Sequence, residues 1–212
     1  VEPSLLDLLL QEFLLYQLLG GSSVKGLHAA VKSGKMGQMA SGGIYKQHDA
    51  RGLPLFERGW ETLHDAKTDA LEELVESLQG KPLLIGIEFE HDLDRLRKRF
   101  GKDLPAITGS TKEREVKLYE SAWNRGELPL LVGHPKSMGH GLNLQECAAH
   151  VAWYTTTWNL ELYEQLYKRV WRQGNTASHV FNYHIIARGT VDEAVMMALR
   201  DKAFTQNALL KA

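Results

Sequence analysis

The chain has 212 residues, 43% hydrophobic and 24% charged, an ordinary balance for a globular protein with one large domain. Its formal charge of -1 excludes a globally basic nucleic-acid binder, so any basic surface must be local. The single cysteine, Cys147, excludes an internal disulfide or a cysteine-rich zinc site and is expected in the core.

No run of 18 apolar residues is present, so the sequence predicts no membrane span. The apolar start is interrupted by acidic residues and lacks a basic n-region, which makes it a poor signal peptide. A cytoplasmic protein without a membrane partner is therefore expected.

Residues 1–60 differ from the rest and are predicted to form a helical arm. Residues 4–19 are rich in leucine and favour a helix that is apolar almost all round, which needs a partner on several sides. A Gly-Gly-Ser-Ser break precedes a weaker helix to about Met39, and SGGIYKQHDARGLP follows as a loop or short hairpin. The arm either packs on the following domain or on something outside this chain.

Residues 61–212 alternate between helix and strand. Strands are predicted in KPLLIGIEF, LPAIT, LPLLVGH, AAHVAWYT and SHVFNYHII. Helices are predicted in HDAKTDALEELVESL, HDLDRLRKRFG, TKEREVKLYESAWNRG, residues 160–173 and VDEAVMMALRDKAFTQNALL. This alternation indicates an α/β fold of three layers, a parallel sheet with helices on both faces. Ligands of such a sheet bind beyond the carboxyl ends of its strands.

The loop ITGSTKERE follows the second of these strands and begins a helix. Ser110 and Glu113 have the spacing of a capping box. The free N–H groups of such a helix start also attract anions. The loop is therefore either a helix cap alone or a cap that also binds phosphate.

The glycine-rich loop GHPKSMGHGLNLQE follows the third strand. Its glycines allow the backbone to approach a ligand closely, and Lys136 and Ser137 offer a charge and a hydroxyl suited to phosphate. Asn143 could bond a sugar hydroxyl. His134 and His140 have no carboxylate at ligand spacing, so no metal site is predicted. The loop is either a strained turn or a ligand site.

The stretch EQLYKRVWRQGNT predicts a helix with Gln165, Arg169 and Arg172 on one face, ended by Gly174. It is either a solvated face or a site for an anion that relieves the repulsion between the two guanidinium groups. Arginine suits phosphate because its planar fork donates bidentately. One arginine aimed at a transferred phosphoryl group contributes about 10³- to 10⁵-fold in rate.

A complete phosphate-transfer site would also show the phosphate loop G-x-x-x-x-G-K-[ST], and this chain has none. Its Gly-Lys pairs are followed by Met36, Pro82 and Asp103, none of which offers a hydroxyl for magnesium. No predicted strand ends in Asp-Glu. A Rossmann enzyme would need G-x-G-x-x-G after the first parallel strand, where GIEFEHD stands instead. Half of a phosphate site is present.

The order of these segments resembles the second RecA-like lobe of superfamily-two helicase-like ATPases, above all compact bacterial and phage-type members of the Swi/Snf branch. The resemblance covers roughly residues 30–212 and rests on LLIGIEFEHDLDRLRKRFG, ITGSTKER, HPKSMGHGLNLQ, TWNLELYEQ and QLYKRVWRQGNT. KMGQMASGGIY is similar to the segment that enters this lobe. The fold it implies is a RecA-like, P-loop NTPase-type helicase C-terminal domain at residues 61–212, preceded by the helical arm.

The resemblance also implies roles for individual residues. Arg169 and Arg172 match the arginine fingers that reach ATP on the first lobe, and are the predicted catalytic residues. The predicted nucleotide-side residues are Gly139, Gly141, Asn143 and Gln165. The predicted DNA-side residues are Ser110, Thr111, Lys136, Ser137 and Trp158. Trp158 and Asn159 match a Trp-Asn-Pro signature whose proline is replaced here by Leu160.

The implied cofactors are ATP and magnesium, held mainly by a first lobe that carries the phosphate loop and an Asp-Glu box. The implied partners are DNA and that N-terminal RecA-like lobe of the same full-length protein, on which the arm would pack. The chain is then the C-terminal lobe of an ATP-dependent DNA helicase or translocase and is inactive alone. The alternative is a catalytically inert nucleic-acid-binding or interaction module of the same fold.

Overall fold

The structure of the chain, a computed structural model, describes residues 29–46, 59–138 and 141–211. A small antiparallel pair is formed by β1 (Gly43–Tyr45) and β2 (Trp60–Thr62). The main sheet consists of β3 (Leu83–Gly86), β4 (Ala106–Ile107), β5 (Leu130–Gly133), β6 (His150–Trp153) and β7 (Phe181–His184). Its order is β4-β5-β3-β6-β7, and all neighbouring strands are parallel. The predicted parallel α/β sheet is confirmed.

The helices of the described ranges surround this sheet. They are α1 (Ala29–Ser41), α2 (Ala66–Ser77), α3 (Glu90–Phe100), α4 (Glu113–Asn124), α5 (Pro135–Met138), α6 (Leu160–Val170) and α7 (Val191–Lys211). The five helices predicted after residue 61 are all present, and the single turn α5 is an addition. No described helix has the length and apolar character that crossing a bilayer requires.

Two hydrophobic clusters lie on opposite faces of the sheet, because successive strand residues point to opposite sides. Leu83 and Ile85 of β3 pack in one cluster together with residues of α2 and α3, such as Leu96. Leu84 packs in the other cluster, with Trp123 of α4 and residues of α6. Helices therefore cover both faces, as the apolar runs of the strands predict.

Gly86 at the end of β3 allows α6 to lie close to the sheet. A Cβ atom at this position would lie 2.6 Å from Leu166 Cδ2 and 2.9 Å from Trp153 Cε3. Any side chain here would push these buried groups away. The glycine therefore helps to set the position of the helix that carries Gln165 and Arg169.

Two predicted boundaries are wrong. The helix predicted for residues 160–173 ends at Val170, since Trp171 has φ -81° and ψ 80°, outside the helical region. The predicted capping box of Ser110 and Glu113 is not formed, because the N-cap of α4 is Lys112, two residues later than predicted. The Lys112 N–H donates instead to Glu115 Oε2 at 3.1 Å.

The described part of the arm packs on the lobe itself. α1 lies against α7, and β1 lies against α3. Arg95 of α3, only 3% exposed, donates to the Ser41 carbonyl at the end of α1, to His64 O at 2.5 Å and to Asp65 Oδ1 at 3.0 Å. The leucine-rich residues 4–19 lie outside the described residues, and packing of the arm on a first lobe remains a prediction.

A buried ion pair joins the start of α2 to the start of α7. Lys67 Nζ lies 2.5 Å from Asp192 Oδ2, and the two side chains are 3% and 8% exposed. Lys67 Nζ also donates to Tyr154 O at 3.2 Å, and Asp192 Oδ2 accepts from the Ala187 N–H at 3.0 Å. The hydrogen bonds offset part of the cost of removing two charges from water.

Candidate functional site: an arginine pair and a polar strand edge

The two predicted arginine fingers lie against the Gly-Leu-Asn segment, residues 141–143. Arg169 Nη1 donates to Leu142 O at 3.4 Å, and Arg172 Nη1 donates to Asn143 Oδ1 at 3.2 Å. Arg172 is beyond the end of α6, so the turn that follows the helix, and not the helix itself, places it there. Gly174, with φ +101°, completes this turn.

The environment of the arginine pair suits an anion. Burial, followed by the nearby charge of Arg172, lowers the pKa of Arg169. Arg172 is exposed, and in the described part of the chain no carboxylate forms an ion pair with it. Two neighbouring guanidinium groups repel each other, and an anion between them would relieve this repulsion.

The other predicted nucleotide-side residues that the structure describes, Gly141, Asn143 and Gln165, lie at or near the surface beside the arginine pair. Gly141 is exposed with φ +74°, and a Cβ there would meet open space, so its backbone is accessible. Asn143 is exposed and bound to Arg172. Gln165 Nε2 donates to Glu161 Oε1 at 3.0 Å, which keeps its side chain on the surface of α6. Gly139 lies outside the described residues.

Ser110 and Thr111 form a hydroxyl-rich turn after β4. Thr111 Oγ1 accepts from the Thr108 N–H at 2.9 Å and donates to Ala106 O at 3.0 Å. Ser110 Oγ is exposed and lies 3.0 Å from Thr108 Oγ1. The turn therefore uses the hydroxyl of Thr111 for its own backbone and leaves that of Ser110 accessible to solvent.

Lys136, Ser137 and Trp158 follow other strands that end at the same edge of the sheet. Lys136 is exposed on α5, and Ser137 is half-buried with its N–H bound to His134 O at 2.9 Å. Trp158 is 40% exposed, and its carbonyl accepts from Lys202 Nζ at 3.0 Å. Since β4, β5 and β6 are parallel, these residues share one edge with Ser110.

Glu88 belongs to this edge and was missed by the sequence analysis. Burial raises the pKa of Glu88, although the charge of Lys136 and a hydrogen bond with Thr157 oppose the shift. Its Oε2 atom is buried without a hydrogen-bond partner. Burial and Lys136 lower the pKa of His134 nearby. The sequence does contain a signal for Glu88, because a carboxylate two residues after a buried strand lies at the edge where ligands bind.

The predicted residues therefore fall into two groups. The arginine site contains Gly141, Asn143, Gln165, Arg169 and Arg172. The strand-edge site contains Ser110, Thr111, Lys136, Ser137 and Trp158. Within residues 29–46, 59–138 and 141–211, no cluster of three or more His, Cys, Asp or Glu side chains could hold a metal ion.

A parallel sheet covered by helices thus carries an arginine pair anchored on a Gly-Leu-Asn segment. The model of the helicase conserved C-terminal domain matches residues 66–174, more than half of the chain. The chain belongs to this family. The resemblance to the second RecA-like lobe of superfamily-two helicases is confirmed.

Known relatives come from a phage and a bacterium. Protein p41 of Acyrthosiphon pisum secondary endosymbiont phage 1 is 38% identical over 204 residues, which cover 93% of this chain and 41% of that protein. YwqA of Bacillus subtilis (strain 168), provisionally named an ATP-dependent helicase/translocase, is 29% identical over 117 residues, 55% of this chain and 12% of that protein. The chain thus spans less than half the length of these relatives.

A solved structure shares the fold. The crystal structure of the C-terminal part of the Fun30 ATPase domain superposes with a TM-score of 0.55 and 23% sequence identity. The match covers 63% of this chain and 44% of that one. It supports the RecA-like architecture of the lobe.

Proposed function

We propose that this chain is the C-terminal lobe of an ATP-dependent DNA helicase or translocase. In this proposal Arg169 and Arg172 act on ATP held by a separate first lobe, and the strand-edge site contacts the DNA backbone. The observation that carries the proposal is the anchoring of both guanidinium groups on consecutive residues, Leu142 and Asn143.

The arginine pair would act by stabilising charge that develops on the γ-phosphate during transfer. Donors that are already fixed before the reaction need no reorganisation when that charge appears. Arg169 is held by a backbone carbonyl and Arg172 by a side-chain amide, so both guanidinium groups are oriented before a phosphate binds. The pair thus supplies a transition-state contact and little ground-state affinity.

Magnesium and the phosphates of ATP would be held mainly by the first lobe. The described residues offer no cluster of metal ligands, and this sequence has no phosphate loop whose hydroxyl could bind the ion. ATP binding would close the two lobes and bring the arginine pair to the nucleotide. Hydrolysis would let them separate again, which moves the protein along DNA.

Translocation along duplex DNA is proposed over strand separation because of the resemblance to the Swi/Snf branch. The provisional name of YwqA, an ATP-dependent helicase/translocase, supports the same class of activity. Contacts would be made to phosphates and not to base edges, since the strand-edge site offers hydroxyls and a lysine without a recognition helix.

Replacing Lys136 by glutamine should weaken binding of the two-lobe protein to duplex DNA. One phosphate contact is lost, so the slope of log K against log salt should fall by about 1, with little dependence on DNA sequence. The measurement is a salt titration of binding by fluorescence anisotropy. Lys102→Gln is the matched control, since Lys102 is also exposed but precedes β4 at the opposite edge of the sheet. Equal salt slopes for the two variants would remove Lys136 from the DNA contact.

A further inference from the structure

The carboxyl half of α4 holds the loop on which the arginine pair rests. The Asn143 N–H donates to Glu120 Oε1 at 2.6 Å, and Asn124 Nδ2 donates to Asn143 O at 2.8 Å. Trp123 Nε1 donates to Leu144 O at 3.1 Å, and its ring is fully buried. Three consecutive contacts from one helix thus fix the backbone of residues 143–144.

Asn143 is therefore bound from two sides. α4 holds its backbone N–H and carbonyl through Glu120 and Asn124, and Arg172 binds its side-chain oxygen. The bond to Glu120 involves a carboxylate acceptor, which makes it stronger than a bond between neutral groups. With its backbone held at both polar atoms, Asn143 presents Oδ1 in a restricted set of orientations.

We propose that Glu120 and Asn124 are positioning residues for the arginine pair. They act through Asn143, which in turn sets the direction of the Arg172 guanidinium. This inference rests on the proposed function, since it requires Arg172 to act on ATP. It adds a role for α4, a helix that the resemblance to helicase lobes associates with DNA at its other end.

In this proposal α4 has a different role at each end, a DNA contact near its start and support of the arginine pair near its end. The hydroxyl turn of Thr108, Ser110 and Thr111 immediately precedes its N-cap, Lys112, and Glu120 and Asn124 lie in its last two turns. A helix of this length spans about 18 Å at 1.5 Å per residue.

Loss of the Glu120 contact should cost turnover more than ATP binding. In Glu120→Ala, water replaces the carboxylate at the Asn143 N–H and the loop samples more conformations. A displacement of about 1 Å of a positioning group can lower the rate by about 100-fold. We expect kcat of the two-lobe protein for ATP, measured with duplex DNA, to fall by about 10- to 100-fold with KM nearly unchanged.

Glu120→Gln and Glu127→Ala separate this role from simple loss of charge or of stability. Glutamine keeps an acceptor oxygen for the Asn143 N–H and should restore most of the turnover. Glu127 is an exposed glutamate just beyond α4 that pairs with Arg125, so Glu127→Ala should leave kcat unchanged. Asn124→Ala should lower kcat in the same way as Glu120→Ala, with the melting temperature of each variant measured alongside.

A double-mutant cycle with Arg172→Ala decides between the possible outcomes. If Glu120 acts through Arg172, then Glu120→Ala should lower kcat much less in the Arg172→Ala background than in the wild-type background. An equal fold-loss in both backgrounds, or no loss in the wild type, would overturn the positioning role. If Arg172→Ala itself leaves kcat unchanged, the proposed function fails instead.

Discussion

Replacing Arg172 by alanine in the two-lobe protein should lower ATP turnover by about 10³-fold or more, with ATP affinity changed only slightly. The guanidinium of Arg172, bound to Asn143 Oδ1, is exposed and is therefore accessible to a nucleotide held by a first lobe. A contact made mainly in the transition state lowers kcat and kcat/KM together and leaves KM almost unchanged. Steady-state turnover with saturating duplex DNA measures both constants.

Arg172→Lys and Arg125→Ala are the informative companions of this variant. Lysine keeps the charge but cannot reproduce the planar fork, so turnover should remain strongly impaired. Arg125 is exposed and pairs with Glu127 at 2.6 Å, far in sequence from the arginine pair, and its loss should not alter turnover. Arg169→Ala should lower kcat as well. Normal turnover in both the Arg169 and the Arg172 variants would dismiss the finger role.

Asp192→Ala should lower the free energy of unfolding of this chain by about 3–5 kcal/mol. The substitution leaves the Lys67 ammonium without its counter-charge in a site where that side chain is 3% exposed. It also removes the acceptor of the Ala187 N–H at the start of α7. Equilibrium unfolding in urea, followed by circular dichroism, measures the change.

Two further variants test the origin of this loss. Lys67→Met combined with Asp192→Leu replaces the pair with apolar groups and should recover much of the stability, because no buried charge is left unpaired. Glu113→Ala breaks an exposed ion pair with Lys117 and should leave the urea midpoint unchanged. An Asp192→Ala midpoint equal to that of the wild type would show that the pair does not stabilise the fold.

The parallel sheet could be predicted from sequence because its determinants are local. Leu83, Leu84 and Ile85 form a continuous apolar run because both faces of β3 are covered, and helices of regular period separate such runs. The ends of elements were less predictable. The hydroxyls of Ser110 and Thr108 form a hydrogen bond with each other in a turn, and this competing local hydrogen bonding moves the N-cap of α4 from Ser110 to Lys112.

The candidate site could be predicted only in part, for a related reason. The spacing of Arg169 and Arg172 in the sequence identified the pair, although Arg172 lies in the turn after α6 and not in the helix itself. The contacts that hold the pair are made between segments distant in the chain. Glu120 lies 23 residues before Asn143, and no local pattern indicates that they meet. Cys147, expected in the core, is half-buried, and its thiol donates to Trp123 O at 2.6 Å.

The proposed division of the ATPase site between two lobes is tested most directly by measuring ATP turnover with duplex DNA. The two samples are this chain alone and the chain joined to a lobe with a phosphate loop and an Asp-Glu box. We expect no turnover by this chain alone and DNA-dependent turnover by the joined protein, lost in Arg172→Ala. Robust hydrolysis by this chain alone, or a joined protein that binds ATP and DNA but never hydrolyses, would contradict this proposal.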